Sequence, residues 1–144
     1  MQISNGGLGF IKAFEDFSAK PYLCPAGVLT IGYGHAILPD EKFTEITEPE
    51  ALELLKKDCA KFTSAINKLV KVGLNPNQFD ALVSFIFNIG IGAFTQSTLL
   101  KLLNKGDYCG AANEFTRWNT IKGVSSNGLT TRRQLEKCLF LTPI

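Results

Sequence analysis

The sequence predicts an α+β domain: a small N-terminal sheet, a long connecting helix, and a group of shorter helices behind them. Three observations carry that reading. The helix breakers Pro21, Pro25, Gly27, Gly32 and Gly34 crowd into residues 20–38, interleaved with the β-favouring runs Tyr22-Leu23 and Val28-Leu29-Thr30-Ile31-Gly32-Tyr33. A helix-start signal, Thr47-Glu48-Pro49-Glu50, opens a long pattern of helical period. From Asn75 onward the apolar residues follow helical spacing.

The first element is a helix over residues 4–17, with Ser4 as N-cap and Leu8, Ile11 and Phe14 on one face. Glu15 closes that apolar stripe. Strands follow at 22–23 and 28–33 around a turn at Pro25-Ala26-Gly27, the only β region the pattern supports. Leu52, Leu55, Cys59, Phe62, Ile66 and Leu69 then mark a helix over 48–72. The next helix, starting at Asn75 or Asn77 and ending near 89, is apolar almost all round, as a buried central helix is. Gly90 and Gly92 end it, and shorter helices are expected at 95–105, 107–117 and 130–139. This gives one domain over 1–144: a β lobe over about 15–47, a connecting helix over 48–72, and a helical lobe from 1–14 and 73–144. A cleft is expected between the lobes.

Composition narrows the classes. The chain is 45% apolar and 19% charged, enough for a packed core and too apolar for disorder. A net charge of +2 leaves no footprint for nucleic acid. Charge is uneven, with eight Lys or Arg against ten Asp or Glu over 1–100 and seven against three over 101–144. That basic end either attracts an anionic polymer or is ordinary solvated surface. Cys24, Cys59, Cys109 and Cys138 form no C-x-x-C pair, and no ligand cluster calls for a metal or cofactor. The apolar settings of Cys59 and Cys138 suggest buried free thiols in a reducing cytoplasm. The N-terminus lacks the pattern of a signal peptide, and runs such as Phe85-Ile86-Phe87 are far too short for membrane insertion.

Glu15, Cys24 and Thr30 stand out, spaced by nine and six residues. Together with Tyr22-Leu23-Cys24-Pro25-Ala26-Gly27-Val28-Leu29-Thr30-Ile31-Gly32-Tyr33-Gly34-His35 they resemble the active-site signature of phage-type lysozymes: Glu, eight residues, Asp or Cys, five residues, Thr. The resemblance continues through Asn77-Gln78-Phe79-Asp80, Phe87-Asn88-Ile89-Gly90, Glu114-Phe115-Thr116-Arg117-Trp118-Asn119 and Gly128-Leu129-Thr130-Thr131-Arg132-Arg133. It covers nearly the whole chain and implies a lysozyme-like fold.

The resemblance also implies an activity: hydrolysis of the β-1,4 bond between N-acetylmuramic acid and N-acetylglucosamine in peptidoglycan, for host lysis. Glu15 is then the general acid, and an acid held against apolar surface keeps its proton more readily. Thr30 helps to hold the attacking water, which implies inversion. Cys24 assists that placement, acts as a thiolate beside the developing positive charge, or is a tolerated substitution; water placement is the preferred reading. Gly32 and Gly34 are expected either to let the backbone approach the sugar or to turn the strand tightly, and Asn88 is expected to face the cleft and hydrogen-bond an N-acetyl group, against a local role at the helix end. One of Arg132 and Arg133 is expected near Glu15 or on wall carboxylates, and the residues do not decide which. His35 and Asp58 are expected to form a structural ion pair, against the alternative that His35 is a general base. Asp16 stands where the family usually has Gly, and is expected either to favour the protonated form of Glu15 as a second carboxylate beside it or to pair with an Arg. Trp118 is expected to pack in the helical lobe. The implied protein is a monomer of the host cytoplasm that reaches the wall at lysis through a separate holin. Two other readings use the same cleft: a non-catalytic peptidoglycan-binding descendant, and a lytic transglycosylase that needs no water.

Overall fold

Ser4 caps the first helix, α1 (Asn5–Phe14), by accepting from the Gly7 N–H, in a computed structural model that describes residues 1–144. Asp80 accepts from the Ser4 N–H at 3.0 Å and also from its hydroxyl, tying the start of α1 to the helix that follows the connecting one. α1 ends at Phe14, three residues earlier than the periodicity suggests. Glu15 is already extended, with φ −99° and ψ 92°, because the chain must turn toward the sheet.

The sheet is antiparallel in the order β1 (Ser18–Leu23), β2 (Leu29–Gly32), β3 (His35–Ala36). β1 is longer than the expected 22–23. Leu23 pairs with Leu29, which leaves Cys24 to Val28 as the hairpin loop. Gly34 takes φ +72° in the turn into β3, a conformation open to glycine at little cost.

Thr47 and Glu50 form the capping box of α2 (Glu48–Leu69), a helix about 33 Å long at 1.5 Å per residue. It ends at Leu69 rather than near 72, where Val70 turns extended. Its N-terminal half carries β2 and β3, and further along it meets α3 (Pro76–Ile89). Every residue from Phe79 to Ile86 in α3 is buried, including the polar Asp80 and Ser84. The single helix expected at 95–105 is instead two, α4 (Ile91–Gln96) and α5 (Thr98–Asn104), because Ser97 is extended and caps the second through the Leu100 N–H. α6 (Tyr108–Glu114) runs into a 3-10 turn at Phe115–Arg117.

A second hairpin then appears where no strand is expected: β4 (Thr120–Ile121) and β5 (Val124–Ser125), joined by Lys122 at φ 51° and Gly123 at φ 81°. α7 (Asn127–Leu141) exceeds the expected 130–139 because Ser126 caps it, accepting from the Leu129 N–H. α7 packs along α3, and Phe79, Phe85, Phe94, Phe115 and Phe140 are fully buried around that pair. The four cysteines are free. Cys59 is buried, and burial pushes its thiol pKa up to about 12. Cys138 is exposed, contrary to expectation, because its turn of α7 faces outward while Phe140 faces the core. No helix is long and apolar enough to cross a membrane.

Candidate active site

Between the sheet and the helical body runs a groove of about 820 Å³, and Glu15, Cys24 and Thr30 all line it. They reach it from three different places: the end of α1, the β1–β2 loop, and β2. Asn88, at the last turn of α3, also lines the groove. The far wall is built by Trp118 and the β4–β5 hairpin, including Ile121 and Lys122. Trp118 thus does more than pack in the helical body, although its ring does meet Phe85 edge-on at 5.9 Å.

The Glu15 carboxyl is held on both sides. Arg132 Nη1 donates to Oε1 at 2.9 Å. Oε2 lies over Gly34, where an added Cβ would come within 2.6 Å of it, and Phe87 lies beside the same point. The neighbours are therefore not only apolar, as the stripe on α1 suggests. The early end of α1 swings the side chain off that stripe and toward α7.

Arg132 is itself 4% exposed and Arg133 wholly buried. Of the two, Arg132 is the one beside Glu15, and neither is open to the groove as a substrate-binding residue: a side chain enclosed in the protein cannot reach a sugar. Arg132 donates from Nη2 to the Ser84 carbonyl at 3.1 Å, and its Nε reaches Glu136 Oε2 at 3.3 Å. Arg133 Nε pairs with Glu136 Oε1 at 2.9 Å, while its Nη2 donates to Asn88 Oδ1 at 2.8 Å. The Ser84 hydroxyl donates to Glu136 Oε2 at 2.5 Å. Burial pushes the Glu136 carboxyl above its ordinary value, against the pull of the two arginines. Burial likewise lowers Arg133 to about 10. Consecutive arginines on α7 thus grip α3 one turn apart, at Ser84 and Asn88. Glu136 was not singled out from sequence, though its spacing of three and four from Arg133 and Arg132 is an ion-pair signal on a helix.

Of its two expected roles, Gly32 has the turning one, at φ +66°, and not the approach to a sugar. It packs toward α2, where an added Cβ would lie 3.1 Å from the Ala51 methyl, and it does not line the groove; Gly34 does. Asp16 forms no ion pair.

The Thr30 hydroxyl donates to the Val28 carbonyl at 2.8 Å, which leaves its lone pairs to accept. Cys24 sits in the hairpin loop, where the backbone N–H of Val28 comes first among the groups that favour its thiolate. Burial opposes this, but Ala26, Thr30 and Gly27 add to the pull of Val28, so the thiol lies below its ordinary pKa. Tyr22, also in the groove, is pushed up by burial and then by Glu15, Cys24 and Asp16, so it stays a neutral donor.

His35 has no free ring nitrogen. Nδ1 lies 2.7 Å from Asp58 Oδ2 and Nε2 lies 2.8 Å from Glu41 Oε1. Burial disfavours charge on the ring, but hydrogen bonds to Asp58 and Glu41 outweigh it and raise its pKa above 6.5. A histidine so occupied is not available as a general base. Glu41 is a partner that sequence reasoning missed.

Residues 12–136 match the family model described as phage lysozyme. The endolysin of an Acyrthosiphon pisum secondary endosymbiont phage is 46% identical, over 97% of this chain and 98% of its own length. The endolysin of Bacillus phage B103 is 44% identical over 99% of this chain, and the chain spans 55% of that relative's length. Among solved structures, the endolysin from Escherichia coli O157:H7 phage FAHEc1 superposes with a TM-score of 0.90 at 41% identity, covering 100% of this chain and 96% of that one.

Proposed function

The chain belongs to the phage lysozyme family, and from that premise we propose that it hydrolyses the β-1,4 bond between N-acetylmuramic acid and N-acetylglucosamine in bacterial peptidoglycan, as an inverting enzyme of host lysis. The observation that carries the reading is the hold on Glu15: one oxygen bound to Arg132, the other turned over Gly34 in the groove.

That hold fixes the chemistry at each oxygen. Arg132 only donates, so Oε1 is an acceptor and the transferable proton belongs on Oε2. Oε2 gives this proton to the glycosidic oxygen as the bond to the anomeric carbon breaks. The carboxylate left behind keeps the guanidinium as its counter-charge, an interaction stronger after proton transfer than before it.

The attacking water is placed from the sheet side. Thr30 Oγ1 has its proton engaged by Val28, so it accepts from the water. A thiolate at Cys24 accepts the water's second proton as the oxygen bonds to the anomeric carbon. One water adds, Cys24 ends protonated and Glu15 ionised, and solvent exchange resets both. A water between sugar and protein, with no covalent intermediate, inverts the anomeric centre. Access to the wall through a separate permeabilising partner belongs to the same proposal.

The test is clearing of permeabilised Gram-negative cells, with mass spectrometry of the released fragments. Wild type should give reducing muramic ends. Glu15→Gln keeps the shape and removes the proton, so activity should fall at least about a hundredfold. Anhydro ends would instead mark a transglycosylase, and an unaffected Glu15→Gln would end the proposal.

A further inference from the structure

Glu136 is wholly buried on α7, and each polar partner of its carboxyl is a donor. Arg133 Nε lies 2.9 Å from Oε1, Arg132 Nε donates to Oε2 at 3.3 Å, and the Ser84 hydroxyl donates to Oε2 as well. None of these groups can accept a carboxyl proton in that arrangement, so the geometry is that of a carboxylate. Spacings of three and four along α7 put it beside both arginines at once.

That carboxylate acts on Glu15 through Arg132 in two ways. The first is aim. With Nε held by Glu136 and Nη2 by the Ser84 carbonyl at 3.1 Å, the planar guanidinium has one direction left for Nη1, toward Glu15 Oε1 at 2.9 Å. The second is charge. Arg132 and Arg133 are adjacent and enclosed, so both guanidinium charges are felt at Glu15 with little screening by solvent. Glu136 cancels one of them. The other titratable groups around Glu15 lie elsewhere in the groove: Tyr22 and Cys24 on the sheet side, Asp16 next in the chain, and Arg117 and Lys122 on the far wall, with Arg117 paired to Glu114 of α6. α3 brings only neutral groups to this cluster, Ser84, Asn88 and Phe87.

Resting on the reading of Glu15 as the proton donor, we propose that Glu136 is its positioning residue: it aims Arg132 at Glu15 and cancels the charge of Arg133, so that the acid meets one net positive charge and not two. Two uncompensated guanidiniums would favour the ionised form of Glu15 before the sugar arrives, and an ionised acid has no proton to give. One leaves the proton in place and still offers a counter-charge once it has been transferred. Glu136 does not line the groove, so the role is exerted on the acid and not on the glycan.

The test varies the charges and reads the Glu15 carboxyl by carbon-detected NMR titration without substrate, beside kcat and KM per folded molecule. Glu136→Gln leaves both arginine charges, so Glu15 should lose its proton at a pH lower than in wild type by about one pH unit. At neutral pH kcat should then fall about tenfold with KM little changed, since one unit means tenfold less protonated acid. Arg133→Met leaves Glu136 to offset Arg132, so Glu15 should keep its proton to a higher pH than in wild type. Combining Arg133→Met with Glu136→Gln removes one charge of each sign, and the titration should return close to that of wild type, as it should in Glu136→Asp, which keeps the charge. A residue that only filled space would leave the Glu15 titration unmoved in all four proteins. Breaking a buried ion pair is costly, and should Glu136→Gln fail to fold, the opposite displacement in Arg133→Met and its reversal in the double variant carry the same test. The proposal is overturned if Glu15 titrates alike in wild type and the single variants, if both single variants move it the same way, or if the double variant fails to bring it back. Titrations that move as stated beside a turnover that ignores them would uphold the hold of Glu136 on Glu15 and count against Glu15 as proton donor alone.

Discussion

Backbone N–H groups of the β1–β2 loop converge on Cys24, led by that of Val28, and make its thiol ionise more readily than an ordinary one. In the proposed mechanism an acceptor for the water's proton exists only above that pKa. The kcat/KM of the wild type should therefore rise with pH through the Cys24 ionisation, below the ordinary thiol value of 9.0. Cys24→Asp should stay active with this limb moved down into the carboxylate range. Cys24→Ser, which cannot ionise, should lose the limb and about tenfold in rate, well short of the Glu15→Gln loss. Profiles of kcat/KM against pH for the three proteins check this, and superimposable limbs would remove Cys24 from the chemistry. Glu15, Cys24 and Thr30 were legible because a spacing motif encodes them. Their surroundings were not. Tyr22 reads simply as a strand aromatic, and Arg132 stands 117 residues from Glu15, so only the fold brings that pair together.

His35 joins three pieces of chain: β3, which carries it, the following loop through Glu41, and α2 through Asp58. Its pKa is raised, so the stabilisation is full below the unfolded value of about 6.5 and is lost as pH rises through the folded value. The Glu41 carboxyl is held below its usual range, first by the Leu38 N–H and then by His35, so its share is lost as pH falls through that lowered value. The staple is strongest between those limits. His35→Ala should destabilise the protein by roughly 2–3 kcal/mol near pH 5.5, since it removes hydrogen bonds to two carboxylates, and by clearly less at pH 9. Denaturant titrations at the two pH values, beside an NMR titration of the ring, measure this; a difference independent of pH would refute it. Legibility at this scale followed element length. α2 and α3 announced themselves through capping boxes and long apolar faces. The β4–β5 hairpin did not, because each strand has two residues and its turn holds Lys122 where Asn or Gly would have signalled a left-handed backbone. That hairpin is the far wall of the groove, so the sequence described the Glu15 side better than the side facing it.

The two halves of the molecule meet where Gly34, in the sheet's last turn, lies under Glu15, at the end of a helix that packs on the helical body. That contact sets the height of the acid above the groove floor and ties it to Thr30 on the neighbouring strand. α1 is itself pinned at both ends, by Asp80 at Ser4 and by Arg132 at Glu15, so it cannot slide to relieve a clash. Gly34→Ala would place a methyl 2.6 Å from Oε2 and 3.3 Å from the Phe87 ring, on a backbone at φ +72°. The left-handed conformation costs a non-glycine residue about 1–2 kcal/mol, which a stable domain tolerates. Displacing the carboxyl by a fraction of an ångström to an ångström is far more costly to the reaction, since misplacement on that scale lowers rates by about a hundredfold. Gly34→Ala should therefore stay folded, lose only that modest stability in denaturant titration, and lose about two orders of magnitude in cell-clearing rate. Gly106→Ala is the matched control: its φ is +82° but its added Cβ meets nothing within 4 Å and it lies outside the groove, so it carries the strain without the displacement. If both variants lost activity only in proportion to their unfolded fraction, the sheet would not be positioning the acid, and the groove geometry would have to be set by α7 alone.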